Sequence, residues 1–299
     1  MWRAPITGLI AAGLIAAVLA VGCQQSPPPP GKPLVMASFY PLYEFSRRVA
    51  GEHADVVSLV PPGAEPHDWE PSPQNVVEAK RAALFVYNDA GFDPWAEKLI
   101  ADAGGGRTVV VNATSGIELL RAGDRADPHV WLDPVRAQQQ IDAIRAGLSR
   151  ADPRNAAAYA DNARAFAAEL DRVDQSFRAG LRDCRRRDVV TSHAAFGYLT
   201  RRYGLAQVAV MGLAPESEPS PAELASIARL ARERQVKYVF FETLVSPRLA
   251  EALAREVGAR TLVLNPIEGV TKEEAAADKG YVALMQDNLE SLRTGLECT

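Results

Sequence analysis

His67, His129 and His193 stand in three segments whose residue types suit metal ligation: Pro66-His67-Asp68-Trp69-Glu70-Pro71, Asp127-Pro128-His129-Val130-Trp131-Leu132-Asp133-Pro134 and Thr191-Ser192-His193-Ala194-Ala195-Phe196-Gly197-Tyr198. Neutral imidazole is the commonest metal ligand, and three of them leave one position of a tetrahedral site for another group. The three lie far apart in the chain, so only tertiary folding can bring them together. That suits an ion gripped between two lobes better than a zinc finger, whose ligands lie close in sequence. The remaining histidine, His53 in Gly51-Glu52-His53-Ala54, has no such setting and reads as a surface residue. Trp69 and Trp131 read as packing walls beside the histidines. Glu70 and Asp133 read as surface acids or as groups that orient a ring.

The elements that must position these residues alternate between strand and helix. Strand-like runs cover Leu34–Tyr40, Ala54–Val60, Ala83–Tyr87 and Thr108–Asn112. They recur at Asp188–Ser192, Ala206–Met211, Val236–Phe241 and Arg260–Leu264. Pro41 opens the first helix and Ser72-Pro73 another, with serine as N-cap and proline in the first turn, and Ser220-Pro221 and Ser246-Pro247 open others. Lys272 to Leu296 reads as the last helix. The alternation predicts an α/β fold of two lobes, each a parallel sheet flanked by helices. Between them, Tyr159, Phe166, Leu170, Val173 and Phe177 recur at helical spacing. No proline or glycine falls between Asn155 and Ala179. This predicts one long rigid helix of about 28 residues, about 40 Å, joining the lobes. The expected division is 34–152 for the first lobe, 153–181 for the bridging helix and 182–299 for the second lobe. His193, Glu242 and Asn265 then fall at the carboxyl ends of strands, the edge where open α/β sheets bind ligands.

The N-terminus indicates the compartment. A short basic start, Met1-Trp2-Arg3, precedes an almost wholly apolar stretch that ends Leu19-Ala20-Val21-Gly22-Cys23. Residues 1–22 read as a secretory signal peptide, and Cys23 as the lipidated cysteine of a lipobox-like site. Residues 23–33, rich in proline, read as an extended tether. No other apolar run is long enough to span a bilayer. With Cys23 given to lipid, Cys184 and Cys298 form an even pair in an oxidising compartment, and a disulfide is expected. A net charge of −4 with interspersed acids and bases gives no sign of nucleic-acid binding.

Taken in order, the three histidine segments, the strand end Phe240-Phe241-Glu242 and the turn Asn265-Pro266-Ile267-Glu268-Gly269 resemble the solute-binding lipoproteins of bacterial ABC importers for zinc and manganese. The resemblance covers nearly the whole chain. It implies two α/β lobes bridged by a rigid helix, with the metal between them and His67, His129 and His193 as its first three ligands. The family's fourth ligand, a carboxylate, maps to Asn265, which departs from the pattern. A neutral amide would leave the metal charge uncompensated away from water. Weak ligation by Asn265, a water or anion, recruitment of Glu242 and a degenerate site therefore stay open, and Glu242 could instead orient a histidine ring.

The expected function is capture of Zn2+, with Mn2+ second, and delivery to an ABC permease. The protein would be a monomer on the outer face of the bacterial cytoplasmic membrane, lipid-anchored and without enzymatic activity. Two rivals are a secreted zinc metallohydrolase, since three histidines and an open position also serve catalysis, and a lipid-anchored adhesin or scaffold with a degenerate site.

Overall fold

Short apolar runs alternating with capped amphipathic helices build two parallel sheets. The protein is described by a computed structural model over residues 1–2, 31–102, 108–215 and 220–299. Apart from residues 1 and 2, the expected leader lies outside the described residues, as do Cys23 and most of the tether. Among the described residues, no helix is long and apolar enough to cross a membrane.

The first sheet carries β1 (Leu34–Ala37), β2 (Asp55–Ser58), β3 (Leu84–Tyr87) and β4 (Val109–Asn112). Between them run α1 (Tyr40–Ala50), α2 (Pro73–Ala79) and α3 (Trp95–Asp102). A short antiparallel pair, β5 (Arg121–Ala122) and β6 (Arg125–Ala126), precedes α4 (Pro134–Ala151) and α5 (Ala156–Gly180). The second sheet carries β7 (Asp188–Thr191), β8 (Ala206–Ala209), β9 (Tyr238–Phe241) and β10 (Arg260–Val263), with α6 (Gly197–Arg202), α7 (Pro221–Glu233) and α8 (Arg248–Val257) between them. The strand orders are β2-β1-β3-β4 and β10-β9-β7-β8, all pairs parallel. The chain reverses direction across the first sheet between β1 and β3, and across the second between β7 and β9. Loops at the carboxyl ends of strands flanking such a reversal form a ready crevice.

Local chemistry explains where helices start. Ser72 caps α2 in a reciprocal box with Asn75, and Ser220 caps α7 in the same way with Glu223. Asp133, two residues past Trp131, caps α4 by accepting the N–H of Val135. At the C-terminus, one expected helix is two: α9 (Lys272–Ala276) and α10 (Tyr281–Gly295). Thr271 and Glu274 box the start of α9, and the left-handed Asp278 (φ 47°) ends its run before Gly280 starts α10.

One hydrophobic core joins both sheets. Val35, Leu84 and Val111 from the first pack in the same cluster as Val189, Phe240 and Leu264 from around the second. Helix α5, 25 residues long, contributes Phe166, Leu170, Val173 and Phe177 to that cluster. Phe45 of α1 meets Phe166 of α5 at 5.8 Å and Tyr281 of α10 at 5.0 Å, edge-on in both pairs. Cys184 and Cys298 are disulfide-bonded, tying the chain before β7 to the C-terminal residues.

Candidate metal centre

Each of the three histidines follows a strand's carboxyl end. His67 sits in a 3-10 turn, Pro66–Asp68, at the end of the loop that leaves β2. Glu65 accepts the N–H of His67. His129 follows β4 and the β5–β6 hairpin and introduces the 3-10 turn Val130–Leu132. His193 lies two residues beyond β7. A fourth side chain arrives from the turn after β10, and it is Glu268.

One oxygen of Glu268 faces all three rings. Its Oε1 stands 3.4 Å from His67 Nε2, 2.9 Å from His129 Nε2 and 3.3 Å from His193 Nε2. The four donor atoms lie within 4.8 Å of one another. His129, His193 and Glu268 are buried, and the His67 side chain keeps 8% of its exposure. Beside it opens a cavity of about 870 Å³ walled by Trp69, Trp95 and Asp68.

The opposite ring nitrogens are fixed. Asp127 Oδ1 lies 2.7 Å from His129 Nδ1 and also accepts that residue's backbone N–H. Glu242 Oε1 lies 2.7 Å from His193 Nδ1 and accepts the His193 backbone N–H. A carboxylate at Nδ1 selects the tautomer with hydrogen on Nδ1, which leaves a lone pair on Nε2. His129 Nε2 is buried and, though 2.9 Å from Glu268 Oε1, is not aligned for a good hydrogen bond to it. Lone pairs converging on a carboxylate oxygen repel unless protons or a cation lie among them. The donor set of three imidazoles and one carboxylate is that of a tetrahedral zinc site.

The charges of the cluster shift one another's protonation. Burial would lower the His193 pKa, but Glu242 and Glu268 raise it well above the ordinary value. His129 is raised in the same way, against burial, by Asp127 and Glu268. Burial would raise Glu268, yet His193 and His67 hold it well below the usual carboxylate range. Glu65 is pushed up to about 8, first by burial and then by the Glu268 charge.

The family model "Zinc-uptake complex component A periplasmic" (ZnuA) matches residues 35–295. The chain belongs to this family. It is 38% identical over 277 residues to the high-affinity zinc uptake system protein ZnuA of Bacillus subtilis, covering 88% of this chain and 87% of that protein. It is 36% identical over 294 residues to the zinc-binding lipoprotein AdcA of Streptococcus pneumoniae, covering 93% of this chain but 59% of AdcA. The solved structure of the Zn(II)-bound ZnuA-like domain of AdcA aligns with a TM-score of 0.80 at 38% identity, over 89% of this chain and 100% of that one. Membership in the ZnuA family brings the α/β fold of paired parallel sheets and an extracytoplasmic solute-binding role.

The fold brings His67, His129 and His193 together and sets Glu268 against them. Asn265, one of the candidates for the fourth position, has its side-chain oxygen engaged within the turn. Its Oδ1 accepts the N–H of Ile267 at 2.7 Å and so shapes the turn. Glu242 orients His193, the role open to it in sequence. Asp133 caps a helix, and Asp127, two residues before His129, supplies the orienting carboxylate instead. Trp131 is fully buried as a wall beside His129, and Trp69 packs on Trp95 at the cavity.

Proposed function

We propose that this ZnuA-family protein captures Zn2+ through His67, His129, His193 and Glu268 and hands it to the permease of an ABC importer. The observation that carries this is the single Glu268 oxygen within 3.4 Å of three Nε2 atoms. Glu268 offsets half of the ion's charge, and Asp127 and Glu242, hydrogen-bonded behind two of the rings, offset more. The cost of burying an uncompensated dication, which an asparagine in the fourth position would leave, is thereby removed. Three imidazoles rank zinc above manganese on the affinity order of first-row metals. A catalytic zinc keeps an open position, whereas here Glu268 fills the fourth and Glu242, the acid a hydrolase would use as base, is bound to His193. That favours a receptor over a hydrolase. Cys23 as a lipid anchor and a monomeric state on the outer face of the cytoplasmic membrane complete the reading.

Calorimetry of the full chain with zinc tests it. One zinc per chain is expected, and His193→Ala should lose most of the affinity. Stoichiometric, tight zinc in that variant would contradict the assignment.

A further inference from the structure

The geometry points to Asn265 and Asn288 as positioning residues that hold the Glu268 carboxylate against the three imidazoles. The inference rests on Glu268 being a zinc ligand, as proposed above.

The turn from Asn265 to Gly269 is held mainly by side chains. Asn288, buried in the middle of α10, clamps both polar backbone groups of Asn265. Its Oδ1 accepts the Asn265 N–H at 2.7 Å, and its Nδ2 donates to the Asn265 carbonyl at 2.6 Å. Asn265 in turn accepts the N–H of Ile267 through Oδ1. The carbonyl between them, on Pro266, accepts the indole N–H of Trp131 at 2.8 Å. Trp131 is two residues from His129, so this bond also ties the turn to another proposed ligand's segment.

What these bonds hold is a conformation the chain would not choose. Ile267 is fully buried at φ 57°. The left-handed region is a genuine outlier for a β-branched residue and persists only where surrounding structure imposes it. A left-handed residue immediately before Glu268 aims the carboxylate back toward the rings, five positions after β10 ends at Val263. Without the two asparagines the turn can relax to an ordinary φ, and the carboxylate moves with it. The two amides therefore act on the metal through Glu268 and not by touching it.

A thermodynamic cycle on zinc affinity, by chelator competition on the full chain, tests this. Asn265→Ala and Asn288→Ala should each weaken zinc about 10- to 100-fold, the usual cost of losing a residue that orients a ligand. In a Glu268→Gln background the same changes should cost less than about 2-fold, because the carboxylate they position is gone. Asn265→Asp keeps the acceptor for Ile267 and should bind within a few-fold of the wild type. Where Asn288→Ala does not fold, the nearly isosteric Asn288→Asp, which loses only the donor to the Asn265 carbonyl, takes its place. Equal losses in both backgrounds would overturn the proposal and make the asparagines independent contributors. A Glu268→Gln variant with unchanged zinc affinity would overturn the ligand set itself, and the proposal with it.

Discussion

Glu242 Oε1 lies 2.7 Å from Nδ1 of His193 and 3.2 Å from the same residue's backbone nitrogen, so one carboxylate fixes both the ring and the chain that carries it. With the proposed ligand set, Glu242 should share in metal binding through His193 and not by touching the ion. Glu242→Ala should weaken zinc about 10- to 100-fold while keeping one zinc per chain. Glu242→Gln, which retains an acceptor oxygen, should cost less. Titration calorimetry separates the outcomes: a loss of stoichiometry in Glu242→Ala would make Glu242 a ligand, and an unchanged affinity would remove its orienting role.

Proton release should accompany zinc binding. In the metal-free protein the raised pKa values of His129 and His193 add stability that is fully present below about 6.5. It is lost as pH rises through the raised folded values. The depressed Glu268 adds stability present above about 4.3 and lost as pH falls through its lowered value. Between those limits protons on the rings offset the Glu268 charge, and zinc must displace them. Zinc affinity should therefore begin to fall at a higher pH than free imidazole would dictate. Calorimetry in buffers of different ionisation enthalpy should count protons released at neutral pH. Affinity flat from about pH 7.5 to 5, across the imidazole range, would contradict this.

Much of this was legible in sequence because it follows from local chemistry. Capped helix starts such as Ser72-Pro73 and Ser220-Pro221, and runs such as Leu84-Phe85-Val86-Tyr87, declare their own elements. The three histidine segments stood out in sequence by their residue types, and folding sets their side chains within reach of one another. Glu268 did not stand out, although it lies in the same turn as Asn265. Reading it required a left-handed isoleucine, which no residue preference suggests, in a turn whose Asn265 is held by Asn288, 23 positions further along the chain. Asp127 was missed because an acid two residues before a histidine orients it only when the backbone turns, as it does here. The break between α9 and α10 was hidden by helical pattern on both sides of Asp278 and Gly280.

The Cys184–Cys298 bond closes a sequence separation of 114 residues. The chain-entropy account gives such a loop about 4–5 kcal/mol at most. Reduction, or a Cys184→Ser/Cys298→Ser double variant, should lower the denaturant midpoint by an amount worth about 2–5 kcal/mol. Non-reducing peptide mapping should find the two cysteines joined. Two free, alkylatable thiols in the isolated protein would contradict the bond.

Zinc binding should change the overall shape little. The core is continuous through Phe45, Phe166 and Tyr281, so opening the sheets as rigid bodies would expose packed aromatic surface as well as bend α5. The 3-10 turn carrying His67, the one ring that keeps some exposure, is the expected site of movement. Scattering profiles of metal-free and zinc-loaded protein should nearly superimpose. A change of several ångströms in radius of gyration would show domain closure and contradict the account.

The most direct test is a crystal structure of the zinc-loaded protein with anomalous data at the zinc edge. One strong peak is predicted, about 2.0–2.2 Å from Nε2 of His67, His129 and His193 and from an oxygen of Glu268. Asn265 Oδ1 should remain on the N–H of Ile267. A peak ligated by Asn265 or Glu242, or one lying outside the three histidines, would contradict the account.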